Sequence, residues 1–212
     1  MPFDAGLGLK PSMAECRVQK LYQVCNRVFR GSKTPSAEGL CEVRAVIETL
    51  TAKDLGMDVP LEETQCGFGF FGLRNVFSNQ FSHASRFSPP IKYLQVHECD
   101  NFTIAVFCLP TSAVIPLHDH PGMVVMSKLL YGSMYLRAYD WLGGAPEVAG
   151  TSGRARLVQD EVLTGPSQPM TLFPTSGGNI HSFTAITHCA VLDVLAPPYR
   201  PADGRDCLYY SD

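Results

Sequence analysis

The hydrophobic spacing changes once along this chain, near residue 91, and that change sets what the chain can fold into. Before it, apolar residues recur every three to four positions; from Ile91 onward they alternate with polar ones. A period of two puts successive side chains on opposite faces of an extended strand. Nine stretches fit it: 91–97, 102–109, 113–118, 124–131, 133–141, 155–162, 170–174, 180–187 and 189–196. Turn chemistry separates most of them, at Asp100-Asn101, Pro121-Gly122, Gly143-Gly144, Gly165-Pro166, Ser176-Gly177-Gly178 and Pro197-Pro198. Short strands at this spacing, with no helices between them, make an antiparallel sandwich or barrel.

The earlier part reads as helix. Val18, Leu21, Tyr22, Cys25, Val28 and Phe29 form one apolar stripe, ended by Gly31-Ser32-Lys33. Thr34-Pro35-Ser36 starts a second helix, with proline expected in its first turn and Leu40, Val43, Val46, Ile47 and Leu50 buried. A further helical turn is expected at 52–55, and Gly56 to Pro60 breaks the pattern. The glycine-rich run 65–72 is loop or short strand; it is not a phosphate loop, because no Lys-Ser/Thr follows it. Residues 75–90 read as a connecting loop. The expected organisation is one domain over 1–212: a loose tail at 1–12, helices over about 13–60, and a β-barrel over about 91–200.

A chain of 212 residues, 45% hydrophobic and 17% charged, has the composition of a globular protein with one sizeable core. A net charge of -3 argues against a nucleic-acid or anionic-membrane partner bound by bulk electrostatics. No apolar run reaches the roughly 20 residues of a membrane span, and the start resembles no secretory signal, so the protein is expected inside the cell. Nothing marks a self-complementary surface, and a monomer is expected. The eight cysteines are irregularly spaced with no Cys-x-x-Cys, which reads as reduced thiols, not a disulfide framework or zinc ribbon.

The chemistry concentrates in His118-Asp119-His120-Pro121-Gly122. On a strand, His118 and His120 point one way and Asp119 the other. Gly177-Gly178-Asn179-Ile180-His181, a glycine turn opening into another strand, offers a third histidine. A lone histidine in a half-buried sheet is ordinarily only a polar side chain. A His-x-His pair with a third His after a second glycine turn favours a metal site.

A jelly-roll barrel with this pattern resembles the cupins: mainly β, a double-stranded β-helix, here with two or so helices packed outside. Cupins usually place a glutamate about five residues past the second histidine and a glycine about seven further on. Gly132 holds the glycine position, but Val125 stands where the glutamate would be. Three neutral imidazoles would leave a divalent iron its full double charge and about three open positions. A thiolate suits that requirement, and binding the metal would deprotonate the thiol. Both atoms of O2 could then pass to sulfur, giving a sulfinic acid. Zinc hydrolases also use three histidines, so the ligand set alone does not choose between these chemistries.

Longer motifs choose. The runs His118-Asp119-His120-Pro121-Gly122-Met123, Ser127-Lys128-Leu129-Leu130-Tyr131-Gly132-Ser133-Met134, Gly177-Gly178-Asn179-Ile180-His181, Val191-Leu192-Asp193-Val194-Leu195-Ala196-Pro197-Pro198-Tyr199 and Gly204-Arg205-Asp206-Cys207 resemble the plant cysteine oxidases. Those enzymes are similar to animal cysteamine dioxygenase. The resemblance covers roughly residues 15 to 210 and implies a non-haem Fe(2+) thiol dioxygenase, with O2 as co-substrate, whose substrates are proteins beginning with cysteine. Oxidation to cysteine sulfinic acid would expose such a protein to arginylation and degradation by the N-degron pathway, making the reaction an oxygen-sensing step. By the same resemblance, group VII ethylene-response transcription factors are the partners, and the cytoplasm and nucleus the location. His118, His120 and His181 match the iron ligands, Asp193 an active-site carboxylate, and Tyr199 a tyrosine close to the same pocket.

The residues themselves leave room for other roles. Asp193, between apolar neighbours, could bind the substrate amine or take the thiol proton, or form a salt bridge to an internal arginine. Tyr199 could equally frame the pocket as a packing residue. His188, seven residues past His181, falls on the opposite face and reads as structural; His83 falls in a polar loop, and the facing of His97 is open. Asp119 is expected to orient the turn. Cys207-Leu208-Tyr209 has the residue types of the cross-links that some thiol dioxygenases form. Tyr139 and Trp141 read as core or rim, and Val124-Val125-Met126 departs from the family's more polar, aromatic step. The rival functions are a dioxygenase of small free thiols and a cupin module that holds metal without turnover.

Overall fold

The computed structural model describes residues 16–31, 34–57, 90–144 and 152–211. The expected N-terminal tail, the glycine-rich run at 65–72, and His83 lie outside them.

Helix α1 (Arg17–Val28) buries Leu21, Val24 and Cys25. Helix α2 (Ala37–Thr49) buries Val43, Val46 and Ile47, and its N-cap is Ser36, whose hydroxyl accepts from the Gly39 N–H at 3.1 Å. A serine can satisfy an orphan N–H and a proline cannot, so Pro35 stands before the cap and not in the first turn as expected. A 3-10 turn follows at Ala52–Leu55.

Nine strands follow: β1 (Lys92–Glu98), β2 (Thr103–Leu109), β3 (Val114–Asp119), β4 (Val124–Tyr131), β5 (Ser133–Trp141), β6 (Ala155–Thr164), β7 (Met170–Leu172), β8 (Ile180–Ala185) and β9 (Cys189–Ala196). They form two antiparallel sheets, in the orders β1-β2-β9-β4-β7 and β3-β8-β5-β6. From β2 onward the chain crosses repeatedly between the sheets, which is the winding of a double-stranded β-helix, the cupin jelly roll. Two strands stop earlier than their hydrophobic pattern suggests. Phe173 leaves β7 to pair with Ser176, and the Ile186 and Thr187 amides turn back onto the Ser133 carbonyl.

The five-stranded sheet is covered on both sides. Its outer face (Ile104, Val106, Leu192, Val194) packs against Leu21, Cys25, Val43, Ile47 and Leu50 of the helical region. Its inner face contributes Leu109, Leu129 and Val191 to a second cluster with Met134, Leu136 and Phe183 of the opposite sheet. All eight residues of β9 are therefore buried, which explains its nearly unbroken apolar sequence. Truncating a fully buried residue such as Ile47 to alanine would cost about 2–5 kcal/mol.

One polar device joins the two layers. Lys128 of β4 is only 4% exposed, and its ammonium donates to the carbonyls of Ile47, Glu48 and Leu50 at 3.3, 2.7 and 2.8 Å. Those carbonyls belong to the last turn of α2, where helix acceptors lack partners and the helix dipole favours a cation.

A three-histidine candidate metal centre

The site begins with an irregularity in β3. Its ladder with β8 pairs Ile115 with Phe183 and His118 with His181, three steps on one strand against two on the other. The extra residue falls at Pro116-Leu117 and makes a β-bulge, where proline can sit because no ladder N–H is needed. Without it, Ile115 and His118 would face opposite ways. With it, both line the same cavity.

His118 stands next to last in β3, His120 one residue beyond its end, and His181 across the ladder on β8. Their ring centroids are 4.9, 4.7 and 4.9 Å apart pairwise, and their ligand nitrogens lie within 4.8 Å of one another. The Nε2 atoms of His120 and His181 are 3.1 Å apart. Two nitrogens bound at about 2.1 Å to one ion, at a right angle or slightly wider, would be about 3.0–3.4 Å apart. Among the described residues no carboxylate joins this group. Val125 instead packs with Met123, Leu172 and Leu195.

Each ring is held from behind. His118 Nδ1 donates to the Pro116 carbonyl at 2.8 Å, so the bulge also orients the imidazole. His120 Nδ1 lies 2.6 Å from the Tyr199 hydroxyl, which donates to the Asp119 carbonyl at 2.7 Å. The hydroxyl oxygen is thus left to accept from Nδ1–H, freeing Nε2. His181 bonds to the Gly178 carbonyl. Such partners fix tautomer and ring orientation in metal sites. Burial holds all three imidazoles below their ordinary pKa, and His120 and His181 lie well below it because neighbouring imidazoles add to the effect at those two. They are therefore neutral donors near pH 7, a set that fits a divalent transition metal.

The turn that delivers His181 is itself organised by buried polar groups. Both carboxylate oxygens of Asp140 accept backbone N–H groups from Gly177, Gly178 and Asn179, at 3.1, 2.8 and 3.2 Å. The Asn179 side chain accepts from the His120 N–H at 3.2 Å and donates to the His120 and Phe173 carbonyls at 2.9 and 2.8 Å. Gly178 has φ +85°, and a Cβ there would come within 2.7 Å of the Ala138 Cβ. The sequence shows Asn179 within the glycine-turn motif without a role, and Asp140 only as the residue between Tyr139 and Trp141. A buried acid or amide one strand away gives no local signal of what it holds.

Asp193 and Tyr199 line the same cavity, of about 70 Å³. Asp193 is 8% exposed; its neighbour in the ladder, Ser127, hydrogen-bonds the carboxylate, but Oδ1 has no hydrogen-bond partner. Burial pushes its pKa up to about 6, and the Ser127 bond opposes that rise. Among the described residues no salt bridge to Asp193 forms. Tyr199 packs on the Met123–Leu195 cluster, while its hydroxyl bonds the Asp119 carbonyl and the His120 ring. Cys207 and Tyr209 complete the wall, and the Cys207 thiol hydrogen-bonds the Tyr199 and Tyr209 side chains. His97 lies away from the site, against Tyr22 and Phe102; exposed His188 meets Thr111. Asp119 does more than orient a turn: it binds the chain segment after β9, as developed below.

A family model described as PCO_ADO matches residues 46–212. The chain belongs to that family. It is 40% identical to Plant cysteine oxidase 1 of Arabidopsis thaliana over 198 residues, 92% of this chain and 63% of that protein. Against Plant cysteine oxidase 2 of the same plant it is 40% identical over 200 residues, 93% and 67% of the two chains. A Probable 2-aminoethanethiol dioxygenase of Dictyostelium discoideum is 34% identical over 168 residues, covering 78% and 68%. The chain thus spans just under two thirds of the first of these PCO_ADO relatives. Among the described residues no helix is long and apolar enough to cross a membrane, and the seven described cysteines are free thiols.

Proposed function

We propose that this protein is a non-haem iron(II) dioxygenase that converts a cysteine at the start of a polypeptide into cysteine sulfinic acid, with O2 as co-substrate. One observation carries the reading: Asp193, whose buried Oδ1 has no hydrogen-bond partner, lines the same cavity as three neutral imidazoles. Among the described residues lining that cavity, Asp193 is the one carboxylate, and Lys and Arg are not represented. An acid there attracts an ammonium and repels a carboxylate. The walls are otherwise apolar, from Ile91, Phe107, Ile115, Phe183 and Leu195. A ligand with a thiol, an adjacent amine and no free carboxylate matches this lining, and a cysteine at a chain start is such a ligand.

His118, His120 and His181 would hold the iron, which would activate O2 and lower the thiol pKa. Asp193 binds the α-ammonium through Oδ1 or takes the thiol proton, and Ser127 keeps the carboxylate turned inward. Tyr199 holds His120 in one tautomer. Phe107 and Phe183 give the cavity apolar walls that disfavour water. The balance closes without another reductant: sulfur gives up four electrons, O2 takes them, and both oxygen atoms end in the sulfinate.

The same reading makes the reaction an oxygen-sensing step. Proteins with an oxidised N-terminal cysteine would enter the N-degron pathway, with group VII ethylene-response transcription factors as substrates in the cytoplasm and nucleus. A second reading, oxidation of cysteamine, is favoured by the name of the Dictyostelium relative and by the shared thiol and ammonium. Iron-loaded protein incubated in air with a Cys-initiated peptide, its N-acetylated form, cysteamine and free cysteine separates these. The expected result is a gain of two oxygen atoms on the free-amine peptide, with little on the acetylated one. Preference for cysteamine would move the assignment to small thiols, and recovery of every thiol intact would leave a metal-binding module.

A further inference from the structure

After β9 the chain turns through Pro201–Asp203 and runs back along the free edge of β3. Backbone bonds tie it there: Asp119 N–H to the Leu208 carbonyl at 3.2 Å, and Tyr210 N–H to the Leu117 carbonyl at 2.8 Å. His118 and Tyr209 form the bridge between them. This returning segment covers an edge strand that would otherwise expose its ladder groups.

Asp119 is the point where it is fastened. The residue is 3% exposed, and all four of its polar atoms are committed to residues 199–210. Its N–H goes to Leu208 and its carbonyl accepts from Tyr199. Its Oδ1 accepts the Leu208 N–H at 3.0 Å, and its Oδ2 the Tyr210 hydroxyl at 2.8 Å. Tyr210 is held at its other side by the Trp141 ring, edge-on at 5.2 Å. Cys207 and Tyr209, on the same segment, line the cavity, and the Tyr209 ring centroid lies 6.3 Å from that of His118.

We propose that Asp119 is a positioning residue whose carboxylate clasps segment 206–210 across the edge of β3, fixing Cys207 and Tyr209 as the wall against which the thiol ligand is aligned. Because the flanking residues are His118 and His120, one strand end sets both the donor nitrogens and the adjoining wall. The proposal rests on the thiol dioxygenase reading for its ligand, while the clasp itself stands on geometry alone.

The test uses the full-length, iron-loaded protein and three variants, Asp119→Ala, Asp119→Asn and Tyr210→Phe. Amide hydrogen exchange over 207–210 and the KM and kcat for a Cys-initiated peptide are measured beside iron content. Asp119→Ala should speed exchange in the segment about tenfold or more, and raise KM about tenfold with kcat changed by less than about threefold. Asp119→Asn should restore both, since its amide can accept from Leu208 N–H and donate to the Tyr210 hydroxyl oxygen. Tyr210→Phe, the milder change, should fall between them. Unchanged exchange in Asp119→Ala, a loss confined to kcat, or an Asp119→Asn variant as impaired as Asp119→Ala would overturn the clasp. If the wild-type protein oxidises no thiol, the functional reading fails, and the exchange series alone decides the clasp.

Discussion

Lys128 and Asp193 are buried charges on neighbouring, paired strands, and they face opposite sides of the same sheet. Lys128 points outward to the helices and has three carbonyl partners. Asp193 points into the cavity, keeps one bond to Ser127, and leaves Oδ1 without a partner. A buried charge with its bonds met joins two layers of the fold. A buried charge with one acceptor open destabilises the empty fold and is ready for a donor from outside. The difference separates architecture from site within adjacent ladder positions.

The sharpest way to break that division is at the metal ligands. His181→Ala should abolish iron retention, read by metal analysis after anaerobic loading, and with it all turnover. Next, Asp193→Asn should keep iron and fold yet lower turnover by about 100- to 10,000-fold, the range for a removed acid–base group; retained turnover would make Asp193 architectural like Lys128. Lys128→Met should show the reverse pattern. About 2–4 kcal/mol of unfolding free energy should be lost in urea, because buried carbonyls lose their donor, with kcat per folded molecule unchanged.

The smallest effect sharpens the comparison through pH. Asp193 has a folded pKa of about 6, above the usual carboxylate value, so the folded state holds its proton more tightly. Its contribution to stability is present at low pH and is lost as pH rises toward and through about 6. In the metal-free protein, Asp193→Asn should therefore be more stable than wild type above pH 6, by up to about 3 kcal/mol. The gap should close as pH falls toward about 4. The histidines, held neutral by burial, act in the opposite sense in both proteins and cancel in the difference. A constant gap across pH would mean that the Asp193 carboxylate finds a partner in solution.

Much of the fold was legible because its signal is local. Alternation, or in β9 a short apolar run ended by Pro197-Pro198, marked the strands, and the stripes of α1 and α2 marked the helices outside the barrel. The histidines that the fold brings together also stood out, since His-x-His before Pro-Gly and His181 after Gly177-Gly178 are contiguous patterns. What was not legible depends on pairing between distant parts of the chain. Nothing near Asp140 says that its carboxylate holds the Gly177–Asn179 turn, and nothing near Asp119 says that its partners lie about ninety residues later. Pro35 was misplaced by one cap because Ser36 competes for the same position and wins by its hydroxyl.

The bulge at Pro116-Leu117 makes the centre depend on a parity. Between Ile115 and His118 the count of residues is even on one strand and odd on its partner, and only that mismatch lets both side chains look inward. Drawn as a regular ladder with the same residues, β3 would put Val114, four positions before His118, at the cavity in place of Ile115. The Pro116 carbonyl that steadies His118 would be displaced with it. Removing one of the two intervening residues would keep both side chains inward, and the loss would fall on that carbonyl alone.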